Sequence, residues 1–151
     1  GGLYAVTASN VAGVTSSDPV LVTVETPNFS ALFPGQAADS DVDGDGVPAL
    51  AEYALGGGTN RVDGDRLPVV SVLSNNLLVL EYAVRTNDPK LETWPERNDD
   101  LSQSNRWTNS GITVSNLGVT NIGGTDFERR RAILSATNPV RQFLRLKVQS
   151  N

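Results

Sequence analysis

The sequence predicts an all-β protein: a β-sandwich with an N-terminal β-hairpin and one acidic loop that runs into a short helix. Short apolar stretches alternate with polar residues, as strands with one buried face require. Clusters of Asn, Gly, Asp and Pro punctuate those stretches, and the 14 Gly and 8 Pro are spread over 151 residues without a period. That pattern fits many turns and short strands, and excludes collagen-like or disordered sequence.

Residues 1–26 form the first unit. Tyr4, Val6 and Ala8 fall on one face, and Val20, Val22 and Val24 follow a polar turn region, which is a hairpin pattern. An isolated two-stranded hairpin is marginal in water, so these strands need a partner sheet. The partner can be the rest of the chain, an upstream domain of the same polypeptide, or a neighbouring molecule by donor-strand pairing.

Residues 27–58 form a linker. Phe29, Leu32 and Phe33 stand at helical spacing before Pro34-Gly35, which predicts one short helical turn. The acidic loop follows, and then a second short helix with Pro48 in its first turn and Gly56-Gly57-Gly58 at its end.

Residues 59–151 form the sandwich. Two strands lie in the stretch from Leu67 to Arg85, joined through Ser74-Asn75-Asn76. Further strands are predicted around Leu91–Trp94, Gly111–Leu117, Phe127–Leu134 and Gln142–Val148. Asn98 to Ser110 reads as a long polar loop anchored by Leu101 and Trp107.

Composition removes whole classes of function. The chain has no Cys and no His, so disulfides, thiolate catalysis, Ser-His-Asp chemistry and the usual zinc ligands are all gone. It also has no Met, which predicts a processed product or a piece of something larger. No apolar run approaches the roughly 20 residues that span a bilayer, which predicts a soluble chain. The net charge of -5 disfavours nucleic acid and anionic membrane as partners, and four carboxylates of one loop account for nearly all of it.

That loop is DVDGDGVPALAE, residues 41–52. An EF-hand loop takes oxygen ligands from its positions 1, 3, 5, 7, 9 and 12 and needs Gly at position 6. Asp41, Asp43 and Asp45 occupy the first three ligand positions, Gly46 the turn and Glu52 the closing one. Val47 supplies a backbone carbonyl, and Ala49 at the ninth position has no side-chain oxygen, which leaves that place to water. Several hard oxygens of variable geometry select calcium over magnesium. A single loop without Met does not suit a calcium sensor, so the ion is expected to be structural. Asp39, just before the loop, reads as a cap or a contributor through water. Asp63-Gly64-Asp65 repeats the composition without a following Glu; a turn is the expected role, with a second ion as the alternative.

Two resemblances add to these expectations. Gly2, Tyr4, Val6, Ala8, Asn10 and Gly13 resemble the penultimate strand and turn of an immunoglobulin-like domain, with Val6 at the usual cysteine position and Tyr4 at the tyrosine corner. From about residue 29 onward the chain is similar to a calcium-loop module common at the C-termini of large secreted proteins of planctomycete and verrucomicrobial bacteria. The likeness rests on the loop, Glu52-Tyr53-Ala54-Leu55-Gly56, Leu67-Pro68, Leu80-Glu81-Tyr82, Asp100-Leu101, Trp107 and Arg141-Gln142-Phe143-Leu144-Arg145-Leu146. The loop alone is also similar to those of dockerins and thrombospondin type 3 repeats, although a dockerin duplicates it. The resemblance implies a secreted or cell-surface address in a bacterium and a structural or attachment role.

The remaining motifs are weaker. Arg129-Arg130-Arg131 alternates faces on a strand and suits an edge guard or ion-pair partners. Trp94, Trp107, Tyr53 and Tyr82 suit core and loop anchoring, with an aromatic platform for polysaccharide as the alternative. Glu81 and Glu92 are the sort of carboxylate pair that glycoside hydrolysis uses, but nothing in the sequence brings them together. A non-enzymatic, calcium-stabilised structural module is therefore expected, a subunit of a surface filament with intermolecular strand pairing. The alternative is a carbohydrate-binding or cell-adhesive module of a larger secreted protein.

Overall fold

A computed structural model of the chain describes residues 1–23, 25–73, 77–135 and 141–151. Val24 and the expected Ser74-Asn75-Asn76 turn lie outside the described residues. The fold is all-β, with two short helices and several small antiparallel sheets.

The N-terminal strands form one hairpin in two stretches. β1 (Gly2–Tyr4) pairs with β4 (Val20–Val22), and β2 (Thr7–Asn10) pairs with β3 (Gly13–Ser16). Between the stretches, Ser17 holds the strands together: its backbone N–H donates to the Val6 carbonyl at 2.9 Å and its Oγ accepts from the Val6 N–H at 3.1 Å. At the tip, the Asn10 side chain accepts from the Ala12 N–H at 2.8 Å, the local bond that makes Asn a turn residue.

The sandwich begins with β5 (Val69–Val72) and β6 (Leu77–Arg85), to which β9 (Thr125–Ser135) and β8 (Ile112–Ile122) add in the spatial order β5-β6-β9-β8. β7 (Leu91–Asn98) and β10 (Phe143–Ser150) form a separate antiparallel pair. Alternate residues of β6 (Leu80, Tyr82 and Val84) are buried with Ala132 of β9, and Leu144 and Leu146 of β10 pack against them. Period-two burial thus gives the large sheet one apolar face, and the β7-β10 pair covers it as a second layer.

Two helices close one end. In α1 (Phe29–Leu32), the N-cap Asn28 accepts from the Ala31 N–H. α2 (Ala49–Leu55) starts one residue after Pro48, which is its N-cap and so stands just outside the expected first turn. Leu55 enters the sandwich core, while Tyr53 joins Phe29 and Phe33 in an aromatic cluster with ring centroids 5.6 to 5.8 Å apart.

One expectation needs correcting and two alternatives fall away. β9 lies inside the sheet, so its arginines guard no edge: Arg130 pairs with Glu128 at 2.8 Å and Arg131 donates across the strands to Glu81 at 2.7 Å. Leu101 is exposed and anchors nothing, whereas Trp107 lies under the Arg145 guanidinium at 4.0 Å. Tyr53 and Tyr82 are buried in the core and are not available to an aromatic platform.

Candidate metal centre

The acidic loop sits between α1 and α2. Its ends are tied together by backbone bonds from the Ala49 N–H to the Ser40 carbonyl at 2.7 Å and from the Leu50 N–H to the Ala38 carbonyl at 3.0 Å. Within it, each aspartate accepts from amides further along the loop. Asp41 takes the N–H groups of Gly44 and Gly46, both at 2.9 Å; Asp43 takes that of Asp45 at 3.2 Å; and Asp45 takes that of Val47 at 2.8 Å. Such bonds satisfy amides that a tight turn would otherwise strand, and they aim the carboxylates inward. Gly46 has φ 87°, a backbone region that side-chain-bearing residues rarely adopt, which explains glycine at the sixth position.

As a result, Asp41, Asp43 and Asp45 each present a carboxylate oxygen within 4.8 Å of the others, a group that can hold a metal ion. Glu52, the twelfth loop residue, stands on α2 outside that group of three, near enough for the aspartates to act on its charge. It is only 2% exposed, and its Oε1 is buried without a hydrogen-bond partner, as is Oδ2 of Asp43. Burial, followed by the neighbouring Asp43, Asp45, Asp63 and Asp41, raises the Glu52 pKa to about 7. An ionised, unpartnered carboxylate among others is unfavourable in a protein interior. A cation would supply the missing partner, and hard oxygen donors fit a hard cation.

Helix α2 joins this acidic group to the sandwich. Glu52 faces the loop, while its neighbour Tyr53, fully buried, donates through its hydroxyl to Asp88 at 2.9 Å. The Arg85 guanidinium lies between the Tyr53 and Phe127 rings, 4.4 and 4.9 Å from their centroids, and its Nε donates to the Tyr53 carbonyl at 3.0 Å. Gly56 ends the helix in the left-handed region at φ 85°; a side chain there would strike Phe127 and Ile122.

The other sequence candidates are placed elsewhere. Asp39 is exposed, while Val47 stays in the loop with its side chain buried. Glu81 is engaged by Arg131, whereas Glu92 lies on β7 in the other sheet. The Trp94 ring carries Lys147 at 5.0 Å on one face, and its Nε1 donates to Glu96 at 3.1 Å. Asp63 is the residue that spacing alone did not place: it packs against the loop while Asp65 faces solvent.

No family model, curated protein or solved structure matches this chain. The geometry therefore defines the class by itself: an all-β protein with an acidic cluster suited to a metal ion. Among the described residues, no helix is long and apolar enough to cross a membrane.

Proposed function

We propose that this chain is a non-enzymatic, calcium-stabilised structural module of a bacterial surface or secreted assembly, in which the N-terminal hairpin of one copy pairs with a second copy. The carrying observation is the hairpin itself. Every described residue from Leu3 to Thr23 is exposed, including Leu3, Tyr4, Val6, Val11, Val14, Val20, Leu21 and Val22. Apolar strands in that condition are a ready template for pairing.

The same chain offers a receiving edge. Among the described residues β5 pairs only with β6, and its Val69, Val70 and Val72 are exposed. Hairpin donated to β5 is a head-to-tail contact between two different surfaces. Contacts of that kind propagate into open filaments unless the rotation closes a ring.

Calcium is the favoured ion because Asp41, Asp43, Asp45, the Val47 carbonyl and Glu52 offer an oxygen set with loose geometry. An extracellular module of this kind works with affinity on the order of 10⁻⁴ to 10⁻³ M. By holding α2, the ion fixes the segment that joins hairpin and sandwich.

Sedimentation combined with hydrogen exchange tests the assembly. The expected outcome is concentration-dependent association in which residues 2–22 gain protection only in the associated state. A monomer at all concentrations whose hairpin amides are already protected would refute it, and association lost only when a preceding domain is restored would assign the hairpin to that domain.

A further inference from the structure

The acidic loop is served by a residue that no loop motif contains. Asp63 stands 18 positions after Asp45, yet its backbone N–H donates to Asp45 Oδ2 at 3.0 Å. Its own side chain is nearly as buried as that of Glu52, at 3% exposure. Oδ2 accepts a short hydrogen bond from the Gly58 N–H, while Oδ1 lacks a well-formed hydrogen bond and has only the Arg61 Nε at 3.2 Å. The chain is shaped for this approach, since a side chain at Gly57 would meet Asp63 Oδ2 at 2.7 Å. The three consecutive glycines thus have separate tasks: Gly56 ends the helix, Gly57 leaves room for the carboxylate and Gly58 donates to it.

We propose that Asp63 is a positioning residue of the same cation site, fixing the Asp45 carboxylate through its N–H and adding a fifth carboxylate that is buried, as Glu52 is. The inference rests on the reading that the loop holds a cation. That reading has support independent of Asp63 in the buried, unpartnered oxygens of Glu52 and Asp43. Loop position nine, Ala49, contributes no side-chain oxygen. Asp63 adds a carboxylate to the site from outside the loop.

The neighbours set the sign of the effect. Arg61 faces both Asp63 and the exposed Asp65, so its positive charge offsets part of the Asp63 charge that the cation would otherwise feel. Removing the Arg61 charge is therefore expected to tighten binding, whereas a merely structural latch between Arg61 and Asp63 would loosen the site when cut. Groups behind the ligands commonly change metal affinity about 10- to 100-fold when removed.

Calorimetric titration of the full chain with calcium chloride separates these cases. Asp63→Asn keeps the N–H and the shape and removes only the charge; it is expected to weaken calcium binding about tenfold or more. Arg61→Gln is expected to strengthen binding severalfold, and because Arg61 is largely exposed this variant answers the question even if Asp63→Asn fails to fold. Asp65→Asn is expected to match the parent. Parent-like affinity in Asp63→Asn, weakened or unchanged affinity in Arg61→Gln, or an equal loss in Asp65→Asn would each overturn the assignment. A parent chain that binds no calcium would instead overturn the proposed function.

Discussion

The hairpin and strand β6 are built from the same kinds of residue and meet opposite fates. Leu3, Tyr4, Val20 and Val22 are exposed, whereas Leu80, Tyr82 and Val84 are buried. Local pattern does not distinguish them, since both alternate at period two. What differs is cover: β10 and α2 lay Leu144, Leu146 and Leu55 over β6, and among the described residues no such layer lies on the hairpin. Strand propensity makes a strand in either place, but only a second layer converts it into stability.

The contrast is sharpest under truncation. Leu80→Ala removes a packed core side chain and is expected to cost about 2 to 5 kcal/mol in urea unfolding. Leu21→Ala, the same change on the hairpin, is expected to stay within about 0.5 kcal/mol in the monomer. A large loss at Leu21 would show that the hairpin is packed after all.

Next in size is the ion. Calcium at 100 times its dissociation constant is expected to stabilise the sandwich by about 2.7 kcal/mol without changing hairpin exchange in the monomer. Glu52→Gln is expected to remove most of that gain and to lower the melting temperature in calcium.

A smaller effect follows from pH. Because Glu52 is raised from 4.5 to about 7, the ion-free fold keeps this group's contribution fully below pH 4.5 and loses it as pH rises through about 7. Calcium binding favours the ionised form, so the calcium-induced shift in melting temperature is expected to grow over the same interval. Thermal melts at several pH values, with and without chelator, measure both trends. An ion-free melt insensitive to pH between those values would contradict the burial of Glu52.

The smallest expected effect on stability is that of Leu21→Lys. It places a charge on the exposed hairpin face, and is expected to leave the melting temperature unchanged while weakening self-association by sedimentation.

Much of the fold was legible because period-two alternation and turn residues are local. The hairpin, the strand pair from Leu67 to Arg85 and the four later strands stand where those signals put them, although β7, β8, β9 and β10 run further than expected. The loop was legible for a different reason: twelve consecutive residues carry the acidic positions and the glycine turn in a fixed order. Asp63 was not legible in the same way. Its approach depends on the path of Gly56 to Val62, and no fixed spacing encodes it. Of the two readings of Arg129 to Arg131, ion pairing holds for Arg130 and Arg131 while the edge guard falls, because strand order, which decides what is an edge, is a tertiary property.

The most direct test is a calcium titration of the intact chain followed by melting, with chelator as the reverse step. One ion bound per chain, a higher melting temperature in calcium and its return on chelation are the results expected of a loop that fastens α2 to the sandwich. Melting that is indifferent to calcium, with no heat of binding, would contradict it.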